Sequence, residues 1–182
     1  MSKKYKFLDQ SQCYFVTLSV VKWIDIFTRK EYIDIVIDSL KFCQQNKGLV
    51  IHSYVIMTNH IHLVISSKDM EVELEYILRD IKKYTSANIL KAIKDNPFES
   101  RKNWMLWLFE TEASHKKQKY QFWQHGNHPI ELSNSSLLNQ KIEYIHQNPV
   151  RNGIVNEPDE YLLSSARHYS GKKYKILDVE LI

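Results

Sequence analysis

A chain of 182 residues that is 43% hydrophobic and 25% charged, with only 4 glycines and 4 prolines, has the means to bury a core, which excludes a disordered or fibrous protein. Its net charge of +4 and pI near 8.9 lean toward acidic partners without the concentrated basicity of a dedicated nucleic-acid binder. Cys13 and Cys43 are too few for a disulfide framework and read as reduced core residues. No apolar run follows the basic start and none approaches the roughly 18 residues of a membrane span, so a cytoplasmic chain without a signal peptide is expected, associated with the nucleoid if it binds DNA.

In chain order, "CYFVTLSVV" (Cys13–Val21) is rich in β-branched and aromatic residues and predicts a strand. Ile33, Val36, Ile37, Leu40 and Cys43 recur at helical spacing between Lys30 and Gln45, and Asn46-Lys47-Gly48 supplies the stop. "LVIHSYVIM" and "HIHLVI" then read as two strands of an antiparallel hairpin. A second helix is predicted from about Val72 to Lys94, with Leu74, Ile77, Leu78, Ile81 and Ile89 as its apolar stripe. "NWMLWLFE" suggests a short helix. "SHKKQKYQFWQ" suggests a basic loop passing into a strand that ends near Trp123. A third helix runs from Ser135 to about Gln147 and is expected to stop at Pro149. The order strand, helix, strand, strand, helix, strand predicts an α+β fold of the ferredoxin-like, split βαβ plan. Its antiparallel sheet has helices packed on one face, followed by a C-terminal helix and tail.

Alternate residues of a strand point the same way, so His60 and His62 share one face while Ile61, Leu63 and Ile65 occupy the other. Two imidazoles at that spacing can grip one cation, though a short H-x-H also fits two surface histidines on a half-exposed sheet. In "KIEYIHQNPVRNGIV" (Lys141–Val155), Tyr144 and Asn148 are four residues apart and share a helix face. Asn148 precedes a proline and so falls at the expected helix end. A core-edge aromatic and a helix terminator would look the same. A phenol with a pKa of about 10 is a weak nucleophile at neutral pH, but a nearby divalent cation favours its phenolate and polarises a phosphoryl oxygen. Histidine pair, amide and tyrosine together make an intelligible site for cutting and rejoining a phosphodiester.

"MTNHIHLVI", "FWQHGNHPIEL", "YIHQNPVRNGIV" and "YLLSSARHYSG" occur in the order found in the REP-associated tyrosine transposases. The chain resembles these relatives of the single-tyrosine insertion-sequence transposases, within the HUH endonuclease superfamily, from about Cys13 to Tyr174. The resemblance implies that His60 and His62 hold a catalytic Mg²⁺ or Mn²⁺, that Tyr144 is the nucleophile, and that Asn148 takes the third metal-binding position. It also implies a ferredoxin-like domain with the histidines on a central strand and the tyrosine on a facing helix. Thr58 stands where many relatives carry proline, which removes no ligand. Imidazole alone would suit softer metals, so Mg²⁺ or Mn²⁺ rests on the resemblance.

The function implied is a metal-dependent endonuclease and strand transferase. It would act on single-stranded or hairpin DNA through a 5′-phosphotyrosine intermediate, from one domain spanning residues 1–182 with its core at about 13–155. The alternative is a non-catalytic repeat-DNA-binding protein derived from a transposase. Homodimers occur among the insertion-sequence relatives and need not carry over. Arg79, Lys82, Lys83, Lys116, Lys117, Lys119 and Arg151 are candidate DNA contacts, and Tyr84 is a rival nucleophile that reads more simply as a helix aromatic on a basic face.

Overall fold

The computed structural model describes residues 7–69, 73–113, 119–173 and 176–182. The elements run β1 (Tyr14–Ser19), α1 (Lys30–Asn46), β2 (Leu49–Ile56), β3 (His60–Ser67), α2 (Leu74–Asp95), α3 (Lys102–Ala113), β4 (Ile130–Glu131), α4 (Ser135–Arg151) and α5 (Ala166–Tyr169). The strands pair antiparallel in the order β2-β3-β1-β4, so β3 is inserted between β1 and β2, as the split βαβ plan requires.

Each face of this sheet buries its own set of side chains. Tyr14, Val16 and Leu18 of β1 join Ile61, Leu63 and Ile65 of β3 in the main core, under the apolar stripes of α1 and α2. The alternation is interrupted once, at His52, which forms a bulge between Ile51 and Ser53 and lets both flanking halves of β2 keep their apolar residues inward. On the opposite face, Phe15, Val55, Met57 and Val64 form a smaller cluster with Leu132, Ile142 and Ile145. The plan of helices against one face therefore holds for α1 and α2, while α4 lies across the face that carries His60 and His62.

Two expectations need correcting. The helix around Tyr144 does not stop at Pro149 but continues to Arg151. Pro149 forfeits only its own N–H near the helix end. The actual stop is Gly153, at φ 67°, where the amides of Gly153 and Ile154 return to the carbonyls of Val150 and Pro149 as a Schellman cap. The strand expected to end near Trp123 is reduced there to a single bridge with Val20, and β4 forms only at Ile130–Glu131. Between these two pairing points the backbone turns through the left-handed region at Gly126 and His128, which prevents a continuous edge strand. Residues 114–118 of the expected basic loop lie outside the described residues.

The free edge of β2 is covered by the C-terminal segment. Ile56 N–H donates to Leu163, Ser165 N–H to Tyr54, and Glu180 N–H to Ile51. Cys43 is buried, Cys13 is half-buried, and both are free thiols. No helix among the described residues is long and apolar enough to cross a membrane.

Candidate active site

The register of β1 against β3 sets Thr17 opposite His62 and Ser19 opposite His60. That pairing fixes the imidazoles. Thr17 Oγ1 and His62 Nδ1 share a hydrogen bond of 2.8 Å, and His60 Nδ1 lies 2.7 Å from Asn59 Oδ1. The Asn59 amide is oriented in turn by donating from Nδ2 to Asp25 Oδ1 at 2.9 Å. Since Oδ1 of Asn59 accepts, His60 carries its proton on Nδ1 and presents a lone pair at Nε2. Neither Nε2 has a hydrogen-bond partner among the described residues.

Burial pushes the pKa of both rings down. His62, at 6% exposure, falls to about 3, through desolvation first and then the neighbouring His60 and Lys141. Two neutral imidazoles with their centroids 4.6 Å apart and both Nδ1 atoms already occupied are a donor pair suited to a cation. No group of three His, Cys, Asp or Glu stands ready to hold a metal among the described residues, so any further ligand here would be an amide, water or substrate oxygen.

Tyr144 comes to the pair from α4, whose start is fixed by Asn134 accepting from the Leu137 amide at 2.9 Å. Its ring lies 5.3 Å from that of His62, edge-on, and 6.0 Å from Phe15, which also stacks on His62 at 5.3 Å. Two cations flank the phenol. Lys141 Nζ is 5.7 Å and the Arg151 guanidinium carbon 5.6 Å from its ring centroid. One turn further along the helix, Asn148 is buried, and its Oδ1 accepts from Asn152 Nδ2 at 3.2 Å, which leaves the oxygen a second lone pair.

The other sequence candidates fall elsewhere. Arg79, Lys82 and Lys83 sit on α2, across the sheet from the histidines. Lys82 is committed to the loop after Trp123, donating to the carbonyls of Gln124 and Gly126 at 3.1 and 2.9 Å, and burial lowers its pKa to about 8. Arg79 pairs with Asp80, and Lys119 rests over the Tyr120 ring. Lys116 and Lys117 lie outside the described residues. Of the basic candidates that are described, only Arg151 reaches the site. Tyr84 is exposed on α2 and far from the pair. Thr17, Asn59, Phe15 and Lys141 were not foreseen. Asn59 could have been found from its adjacency to His60, whereas Thr17 and Phe15 become visible only through strand register.

Fold and site together define an α+β domain of the split βαβ type, with a histidine pair on a central strand opposite a tyrosine-bearing helix. A family model described as "Transposase IS200 like" matches residues 10–110, more than half of the sequence, and the chain belongs to that transposase family. The match includes both histidines and ends before Tyr144. Among solved structures, a REP-associated tyrosine transposase bound to a REP hairpin is similar at a TM-score of 0.64, over 99% of this chain and 92% of that one, at 16% identity. No curated protein matches the sequence.

Proposed function

We propose that the protein cuts and rejoins single-stranded, hairpin-forming DNA by phosphoryl transfer to Tyr144. The observation that carries this reading is the 5.3 Å approach of the Tyr144 and His62 rings, which brings a nucleophile from α4 to a cation-ready pair on β3. The phenol oxygen gives up its proton to solvent and attacks the phosphorus of a DNA phosphodiester, the bond to the 3′ oxygen breaks, and that oxygen leaves as a hydroxyl after taking a proton from solvent. The 5′ phosphate stays on the tyrosine, so the bond energy is kept for the rejoining step. Lys141 and Arg151 beside the ring favour negative charge on the approaching phosphate.

His60 Nε2 and His62 Nε2 would hold a divalent cation, Mg²⁺ or Mn²⁺, with Asn148 as the third protein ligand. Such a cation supplies Lewis-acid polarisation of a phosphoryl oxygen and favours the phenolate. Thr17 and Asn59 engage the Nδ1 atoms and so fix the orientation of the two imidazoles. The relative with a REP hairpin in its structure supports a hairpin as the DNA partner.

The test is to incubate labelled hairpin DNA with the protein and Mg²⁺ or Mn²⁺ and separate the products under denaturing conditions. Wild-type protein is expected to carry label covalently and Tyr144→Phe to carry none. Labelling of Tyr144→Phe at the wild-type level would remove the tyrosine from the reaction. Cleavage without any adduct would assign the attack to water.

A further inference from the structure

From the geometry around His60 we infer that Trp23 is a stacking platform for a base of the DNA strand next to the phosphate being cut. The inference rests on the proposed reaction site and adds a residue that positions its substrate. Trp23 is 54% exposed, although indole is among the side chains that gain most from burial. Its ring meets His60 edge-on at a centroid distance of 5.5 Å, so one face of the histidine pair is bordered by an open aromatic surface.

The backbone shows that this placement is imposed. Lys22 and Trp23 both take left-handed conformations, at φ 52° and 55°, which L residues with a side chain adopt at a cost. Two such residues in succession persist only where neighbouring contacts determine them. Here the amide of Val20 donates to Asn59, that of Val21 to Phe122, that of Trp23 to Val20, and that of Phe27 to Thr58. Asn59, which orients His60, is also bonded to Asp25 two residues past the tryptophan. The turn is therefore tied through Asp25 to Asn59, the residue that orients His60, and it holds a flat ring in solvent beside that imidazole.

The occupant follows from chemistry. Beside a site that handles a DNA phosphate, an exposed indole on a rigid turn matches the π-face of an unpaired base, which any base presents. A paired base inside a duplex offers no such face, so the platform selects a single-stranded flank over the hairpin stem.

The experiment uses Tyr144→Phe protein, so that binding is read without reaction, and a DNA hairpin with mixed-sequence single-stranded flanks. The probe 2-aminopurine is moved base by base through the flanks. We expect quenching at one or two adjacent positions, with fluorescence restored there by adding Trp23→Ala and largely kept quenched by Trp23→Phe. Trp23→Ala is expected to weaken binding about tenfold, and an abasic site at the quenched position to remove that difference. Unchanged quenching and affinity in Trp23→Ala would overturn the inference. So would a loss of affinity that persists against the abasic strand, which would mean that the tryptophan acts through His60. Failure of protein with Trp23 intact to bind the hairpin at all would instead overturn the DNA reading itself.

Discussion

Among individual residues, the decisive contacts are those that leave each imidazole one free nitrogen. Thr17 reaches His62 from the neighbouring strand, so its loss would free the ring to turn while leaving both imidazoles in the chain. Thr17→Val keeps the shape and removes the bond. It is expected to lower adduct formation by roughly 10- to 100-fold, the usual effect of losing a partner that orients a ligand, with unchanged circular dichroism. A variant that reacts at the wild-type rate would show that His62 is held by packing alone. The meeting of His60, His62 and Tyr144 was legible in the sequence because H-x-H and a helical tyrosine are short local patterns, whereas Asn148 is a ligand only in the proposal. Thr17 was not legible, because nothing near position 17 reports that residue 62 lies across from it. Trp23 was missed for a similar reason, since two consecutive left-handed residues leave no mark in a segment without glycine.

For the elements, the question is what fastens α4. Its His146 is buried among Ser53 of β2 and Ser165 of the C-terminal segment, with Nε2 2.8 Å from Ser165 Oγ and 3.2 Å from Ser53 Oγ. Burial and, after it, the charge of His168 lower its pKa from 6.5 to about 4. In the unfolded chain the ring takes a proton near pH 6.5, whereas in the fold it resists doing so until about pH 4. The stabilisation is therefore complete above pH 6.5 and is lost as the pH falls through that window, by up to about 3 kcal/mol. Urea unfolding at pH 7 and pH 4.5 is expected to show a steeper acid loss for wild type than for His146→Asn, and equal losses would exclude the ring as the cause. The helices and the hairpin were read correctly from apolar spacing. The two errors, at Pro149 and near Trp123, arose where backbone geometry outweighed composition. A glycine cap let the helix pass its proline, and the β-forming residues before Trp123 pair only through the single Val20 bridge, with left-handed turns at Gly126 and His128 separating them from β4.

At the scale of the whole molecule, the start of α1 is joined to the approach to α3 at Glu99, which is almost fully buried. Arg29 Nε donates to it at 2.6 Å, Tyr32 Oη at 3.1 Å and Arg101 Nε at 3.2 Å. Burial opposes its charge, yet the hydrogen bonds from Arg101 and Arg29 prevail and hold the carboxyl at about 2. Glu99→Ala is expected to cost about 3 kcal/mol in chemical denaturation. That is near the low end for a broken buried pair, because both arginines still reach water. A loss below about 1 kcal/mol would mean that packing alone holds α3 in place. No sequence pattern announces this junction, since two of its three partners lie 67 and 70 residues away. The division of the sheet into a large apolar face and a small one has a historical consequence. Stability resides chiefly beneath α1 and α2, whereas the face that carries His60 and His62 is filled by few side chains. Descendants can therefore alter α4 and its surroundings while inheriting a scaffold that still folds.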